Sequence, residues 1–193
     1  MKKIHPYSEK VKKDSRILHF DKNVIWIIEI TLMAFTFSFL LSAFSDTVMS
    51  ASTVLVSTIV LFFFIGLGIL FDMIGVATTV ADPKVFNSMA AKKVRGSKTA
   101  LSFIKKSSQV SSFCNDVIGD ICGILSGSAG VTIALSISQQ FGINLMLTNL
   151  FTTSMIAALT IGGKAVGKSF AINKSNRILY TFSKFIETVT FKR

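Results

Sequence analysis

The chain has 193 residues, half of them hydrophobic and only 16% charged, with 18 phenylalanines and a formal net charge of +11. The length would suit one soluble domain, but the apolar residues lie in long uncharged runs rather than at the spacing of half-buried helices or strands. Attraction to anionic lipid headgroups is sufficient to account for the basic excess, and no nucleic acid is required.

Residues 1–23 form a basic polar arm that holds both histidines, His5 and His19. It is followed by "VIWIIEITLMAFTFSFLLSAF", interrupted only by Glu29. That run exceeds the roughly 7–15 residues of a signal-peptide core, so an uncleaved span over about 24–44 is expected. No charge occurs from Thr47 to Phe71 or from Ile121 to Gly163. A bilayer-spanning helix needs about 20 apolar residues. The first of these runs predicts one span at about 51–72. The second predicts two, at about 113–137 and 144–163, with a turn at "SQQFGIN", Ser138–Asn144.

Between the second and third spans, Asp82 before Pro83 predicts a helix start, with an N-cap and proline at the first helical position. Val85, Phe86, Met89 and Ala90 then form an apolar stripe beside Lys84, Lys92 and Lys93. A break at Gly96–Ser97 precedes a second short helix carrying Ala100, Leu101 and Ile104. The tail, 173–193, repeats the pattern with Ile178, Phe182, Phe185 and Val189 beside Lys174, Arg177 and Lys184. Such segments read as interfacial amphipathic helices.

The third span opens on "CNDVIGDICGILSGSAG". On a helix, Asp116 and Asp120 share a face about 100° wide with Gly119, Gly123, Gly127 and Gly130. Glycines at this spacing predict close helix packing, within the chain or across a dimer. Charged groups at membrane depth are costly, and by default they are paired or functional. Asp72, Asp116 and Asp120 with Asn115 offer the hard oxygen ligands that Mg²⁺ prefers. Lys164, at the end of the fourth span, offers the alternative of a closed salt-bridged cluster. Cys114 and Cys122 read as buried free thiols. No histidine pair or activated nucleophile points to an enzyme.

The fourth span ends in a match to the phosphate-loop pattern, Gly162–Ser169. That pattern needs a strand before it and a helix after it. A span end supplies neither, so no nucleotide is expected and the glycines are assigned to packing.

All 21 lysines and arginines fall within residues 2–22, 84–106 and 164–193, and the two opposite connections carry none. The positive-inside rule then places both termini in the cytoplasm, as in a multi-pass protein of a bacterial inner membrane. The reading is therefore an all-α integral membrane protein, with a four-span domain at 24–172 between the arm and the tail.

The order of "DMIGVATT", two basic amphipathic helices, "NDVIGD" and "GKAVGKS" resembles the transmembrane domain of the CNNM/CorC family of magnesium and cobalt transport proteins. The resemblance covers about 52–172, so the first span is additional. It implies a membrane homodimer that handles a divalent cation, with the family's metal-binding serine at Asp72 and its two asparagines at Asp116 and Asp120. The family's two glutamates fall at Gly75 and Lys164, and the regulatory domains that commonly follow have no counterpart in this sequence. The alternative is a structural or regulatory membrane protein whose acidic cluster is neutralised by Lys164. Reporter fusions after residues 23, 47, 95, 141 and 193 are expected to read in, out, in, out, in; an external C-terminus would rule out four spans.

Overall fold

The computed structural model describes residues 24–43, 45, 47 and 54–190. The basic arm, Phe44 at the end of the first span, Asp46 in the first connection and residues 51–53 lie outside them. Helix α1 is Val24–Ala43 and α2 is Val54–Val80. Two short helices follow, α3 at Pro83–Ala91 and α4 at Ser97–Lys105. Helix α5 (Ser107–Ser112), a π turn (Phe113–Ile118) and α6 (Gly119–Phe141) then run on as one rod. Helices α7 (Leu145–Asn173) and α8 (Ser175–Val189) complete the order. Four of these segments are long and apolar enough to cross a membrane: α1, α2, the 35-residue rod and α7. No strand occurs among the described residues. The chain is an all-α membrane protein.

The helices outrun the apolar segments. Helix α2 continues past residue 72 to Val80, the third span begins at Ser107, and the fourth ends at Asn173. A helix satisfies its backbone internally, so it need not stop where its side chains turn polar. At 1.5 Å per residue, 35 residues extend about 50 Å, against a hydrocarbon layer of about 30 Å. The surplus projects at the end where the basic residues gather.

Helix α2 sits at the centre and touches the π turn, α6, α7 and α8. Gly68 lets it approach α6, since a β-carbon there would stand 3.2 Å from Cβ of Cys122. Gly163 and Gly167 of α7 lie against Ile69 and Met73 of α2. Gly130 of α6 faces Ile156 and Thr152 of α7. In lipid, where apolar burial gives no net drive between helices, such close approach supplies the packing. Helix α1 leans on this triangle through Ile30, Ala34 and Leu41, against Phe64, Val117 and Ile121.

The turn between α6 and α7 falls inside the predicted stretch. Gly142 adopts a left-handed conformation (φ 64°) after α6, and Asn144 caps α7 by accepting from the Met146 N–H at 2.9 Å.

At the basic end, α3, α4 and α8 form a cap around Phe86, Ala100 and Leu179, all fully buried. The amphipathic helices thus pack partly on one another rather than each on the membrane alone. Asp82 caps α3 as predicted, accepting from Lys84 N–H at 2.8 Å with Pro83 at the first turn. Between α3 and α4, Gly96 has φ 84°, and its N–H donates to Glu187 of α8 at 2.5 Å. A β-carbon on Gly96 would come within 3.0 Å of the Lys184 backbone. Left-handed backbone costs an ordinary residue about 1–2 kcal/mol. Gly96→Ala is therefore expected to lower the melting temperature and to loosen α8, read as faster proteolysis of the tail. An unchanged melting curve would mean that α8 does not seat on this loop.

Candidate polar site at the basic end of the bundle

Asp72 lies on the face of α2 turned to its neighbours and is only 3% exposed. Its Oδ1 stands 3.7 Å from Nζ of Lys168 on α7, whose side chain is 50% exposed. Among the described residues its Oδ2 is buried without a hydrogen-bond partner. One turn further along α2, Gly75 leaves room for Asn115 of the π turn. The Asn115 side chain occupies the space a β-carbon on Gly75 would need, with Oδ1 the nearest atom. Asn115 Nδ2 donates to Ser111 Oγ at 3.3 Å, while its Oδ1 is also buried and unpartnered among the described residues. Leaving a buried acceptor unsatisfied costs about 1–3 kcal/mol, and more for a charged one. Two such oxygens, on side chains that meet α2 one turn apart, are each able to accept from a donor or a cation.

Lys164 lies one helical turn before Lys168 on α7. Its Nζ stands 3.5 Å from where a β-carbon on Gly119 would be, so it lies along the α6–α7 seam. The counter-charge at Asp72 comes from Lys168, which the sequence reading passed over. Its signal was present as the i+4 repeat in "GKAVGKS", hidden by the resemblance to a phosphate loop. That loop does not exist as such: Gly162–Ser169 lies within uninterrupted α7. Backbone N–H groups bonded to the preceding turn cannot cradle phosphate oxygens.

Asp116 and Asp120 are exposed, as is Gly123. The glycine face of the third span therefore divides. Gly119 and Gly130 turn inward, towards α7, whereas β-carbons on Gly123 and Gly127 would meet open space. Among the described residues, no three histidine, cysteine, aspartate or glutamate side chains gather into a metal-sized group. The structure thus pairs Asp72 with Lys168 and seats Asn115 against Gly75 one turn along α2, with Lys164 on the neighbouring seam. It leaves Asp116 and Asp120 on an open face. Glu29 is exposed on α1, and Cys114 and Cys122 are buried free thiols, as expected.

Depth explains why these charges are tolerated. Measured from the opposite ends of their helices at 1.5 Å per residue, Asp72 lies about 27 Å along α2, Lys164 about 28 Å along α7 and Asp120 about 31 Å along α6. Each therefore lies close to a full hydrocarbon thickness, about 30 Å, from the far end of its own helix. There a side chain can reach the interface, and the penalty is far below that at the midplane.

No protein-family profile, curated protein or solved structure matches the chain. The local geometry makes a contrasting prediction. Gly75→Val should displace Asn115 and cost about 1–3 kcal/mol, as overpacked sites do. Gly123→Leu should leave the melting temperature of the monomer unchanged. Equal destabilisation by both would place another helix over Gly123.

Proposed function

We infer that this membrane protein handles a divalent cation, Mg²⁺ first, through the buried oxygens of Asp72 and Asn115. The observation that carries the reading is the pair of buried, unpartnered acceptors, Asp72 Oδ2 and Asn115 Oδ1, on side chains that meet α2 one turn apart. A carboxylate and an amide oxygen are hard donors of the kind Mg²⁺ selects, and Mg²⁺ keeps several waters that would complete its shell. Lys168 is loosely placed at 3.7 Å and half exposed. It acts as an exchangeable counter-ion, holding Asp72 when the site is empty and swinging to the interface when a cation enters. Asp116 and Asp120, at similar depth on the open face of the third span, attract cations to that surface. The order of segments shared with the CNNM/CorC membrane domain supports the same reading, including a cytoplasmic location for the basic end and assembly as a homodimer. No enzymatic step is part of it.

A second reading has its own observation. Lys168 already stands beside the buried carboxylate of Asp72, and a second ammonium, that of Lys164, lies on the adjoining α6–α7 seam. In that reading the cluster is closed, and the protein is a structural or regulatory membrane subunit.

Thermal unfolding separates the two. For cation handling, millimolar Mg²⁺, Mn²⁺ or Co²⁺ raises the melting temperature, because a ligand bound only to the folded state stabilises it. Asp72→Asn abolishes the rise, and Lys168→Gln shifts it to lower cation concentration by removing the competing charge. For a closed cluster, the wild type ignores all three metals, and Lys168→Gln alone costs about 1–3 kcal/mol by stranding the carboxylate. A wild type insensitive to metal would overturn the cation reading.

A further inference from the structure

A groove of about 450 Å³ opens on the outside of the bundle where α2, α7 and α8 meet. Its walls are Leu70 and Ile74 of α2, Phe170 of α7, and Phe182 and Phe185 of α8. The polar side chains that line it are cationic or neutral, Lys174, Arg177 and Thr181, with no acidic side chain among the described residues of the lining. The apolar stripe of the tail therefore has two destinations. Leu179 is buried in the cap, Phe182 packs on Phe103 of α4 with ring centroids 5.8 Å apart while lining the groove, and Phe185 lines it from an exposed position.

We propose that this groove binds one anionic phospholipid, its acyl chains against Leu70 and the phenylalanines and its phosphate between Lys174 and Arg177. Depth selects the occupant. Leu70 lies about 24 Å along α2, within the hydrocarbon thickness, so the lower part of the groove opens to lipid. Lys174 follows α7, but its ammonium folds back over the Phe170 ring, 5.1 Å from the centroid. Gly167 of α7 packs on Met73, about 28 Å along α2, and Phe170 lies one turn further, which sets the ammonium at the hydrocarbon edge, where headgroups begin. Apolar walls below and two cations above match a lipid acyl chain and phosphate in register.

Charge argues against the other occupants. Residues 1–23, the longest stretch outside the described residues, carry seven basic against three acidic side chains and would be repelled by this rim. A second copy has a net charge of +11 and would bring more positive charge to the same level. An acidic soluble peptide could meet the rim, but it could not fill a pocket floor lying in hydrocarbon.

The test uses tryptophan fluorescence in vesicles. Trp26, the only native tryptophan, is changed to Phe, and Phe182→Trp places a reporter in the groove. Val166→Trp supplies a second reporter on the exposed face of α7, outside the groove lining. Each protein is reconstituted in phosphatidylcholine containing either phosphatidylglycerol or phosphatidylcholine brominated near the headgroup. At position 182, phosphatidylglycerol should quench with an apparent affinity about tenfold higher, the order expected for one or two basic contacts near the surface. Lys174→Gln with Arg177→Gln should bring that ratio to about one by removing those contacts. At position 166 the ratio should stay near one throughout. Equal quenching by the two lipids at 182 would overturn the proposal, as would the same preference at 166, which would mean generic attraction to a basic protein. Protection of 182 from both lipids would also overturn it, by showing another chain in the groove. If Phe182→Trp distorts the site, Phe185→Trp at its mouth makes the same comparison.

Discussion

The close approach of α2 to α6 and α7 is the constraint on which the other features of the molecule depend. Within lipid, apolar side chains gain nothing by leaving one hydrocarbon for another, so a helix triangle needs contact at short range. Gly68 against Cys122, Gly163 and Gly167 against Ile69 and Met73, and Gly130 against Ile156 supply it on all three sides. Each glycine accepts a neighbour's side chain where its own would stand. Because these contacts set the rotation of the helices, they also decide which polar residues face inward. Asp72 is carried on the same helix as Gly68 and Gly75, and Lys168 directly follows Gly167. The packing contacts and the charged pair are thus placed by the same two surfaces.

The polar site is consistent with its depth. Near the midplane, an orphaned carboxylate oxygen and an orphaned amide oxygen would be a severe burden. At the hydrocarbon edge the burden is smaller, and a half-exposed lysine beside the other carboxylate oxygen offsets the charge while keeping its ammonium near water. The π turn contributes the rest. Its wider backbone presents Asn115 to Gly75, and π segments of this kind recur where a helix positions a functional group. Asp116, next in the chain, is left on the open face. Neighbouring residues of the same polar type therefore have different surroundings, and so different chemistry is open to them.

The cap of α3, α4 and α8 joins the membrane rods to the basic surface. Phe86, Ala100 and Leu179 close its interior, and the bond from Gly96 N–H to Glu187 ties the α3–α4 loop to the tail. With α8 held in this way, its remaining apolar residues are presented sideways towards α2 and α7 rather than folded away. The groove and its cationic rim follow from that posture.

Much of this was legible in the residues alone. Apolar runs long enough to cross a bilayer announced four spans, because lipid requires apolar length irrespective of partner. The sorting of the described lysines and arginines into 84–106 and the segment from Lys164 announced the basic end that the structure shows. Local chemistry was equally readable: Asp82 before Pro83 started α3, Gly96 broke the chain before α4, and the turn from α6 to α7 fell inside Ser138–Asn144. These are decisions made within a few residues. The tertiary structure alone decided which side of each helix found a neighbour. A helical projection put Asp116, Asp120 and four glycines on one face, but the edge of the α6–α7 contact runs through that face. It buries Gly119 and Gly130 and leaves the others open. Lys168 rather than Lys164 lies beside Asp72 because the approach of α7 to α2 at Gly167 brings that turn of the helix to the carboxylate. Helix rotation depends on contacts between residues far apart in the chain, and spacing within one segment carries no record of them.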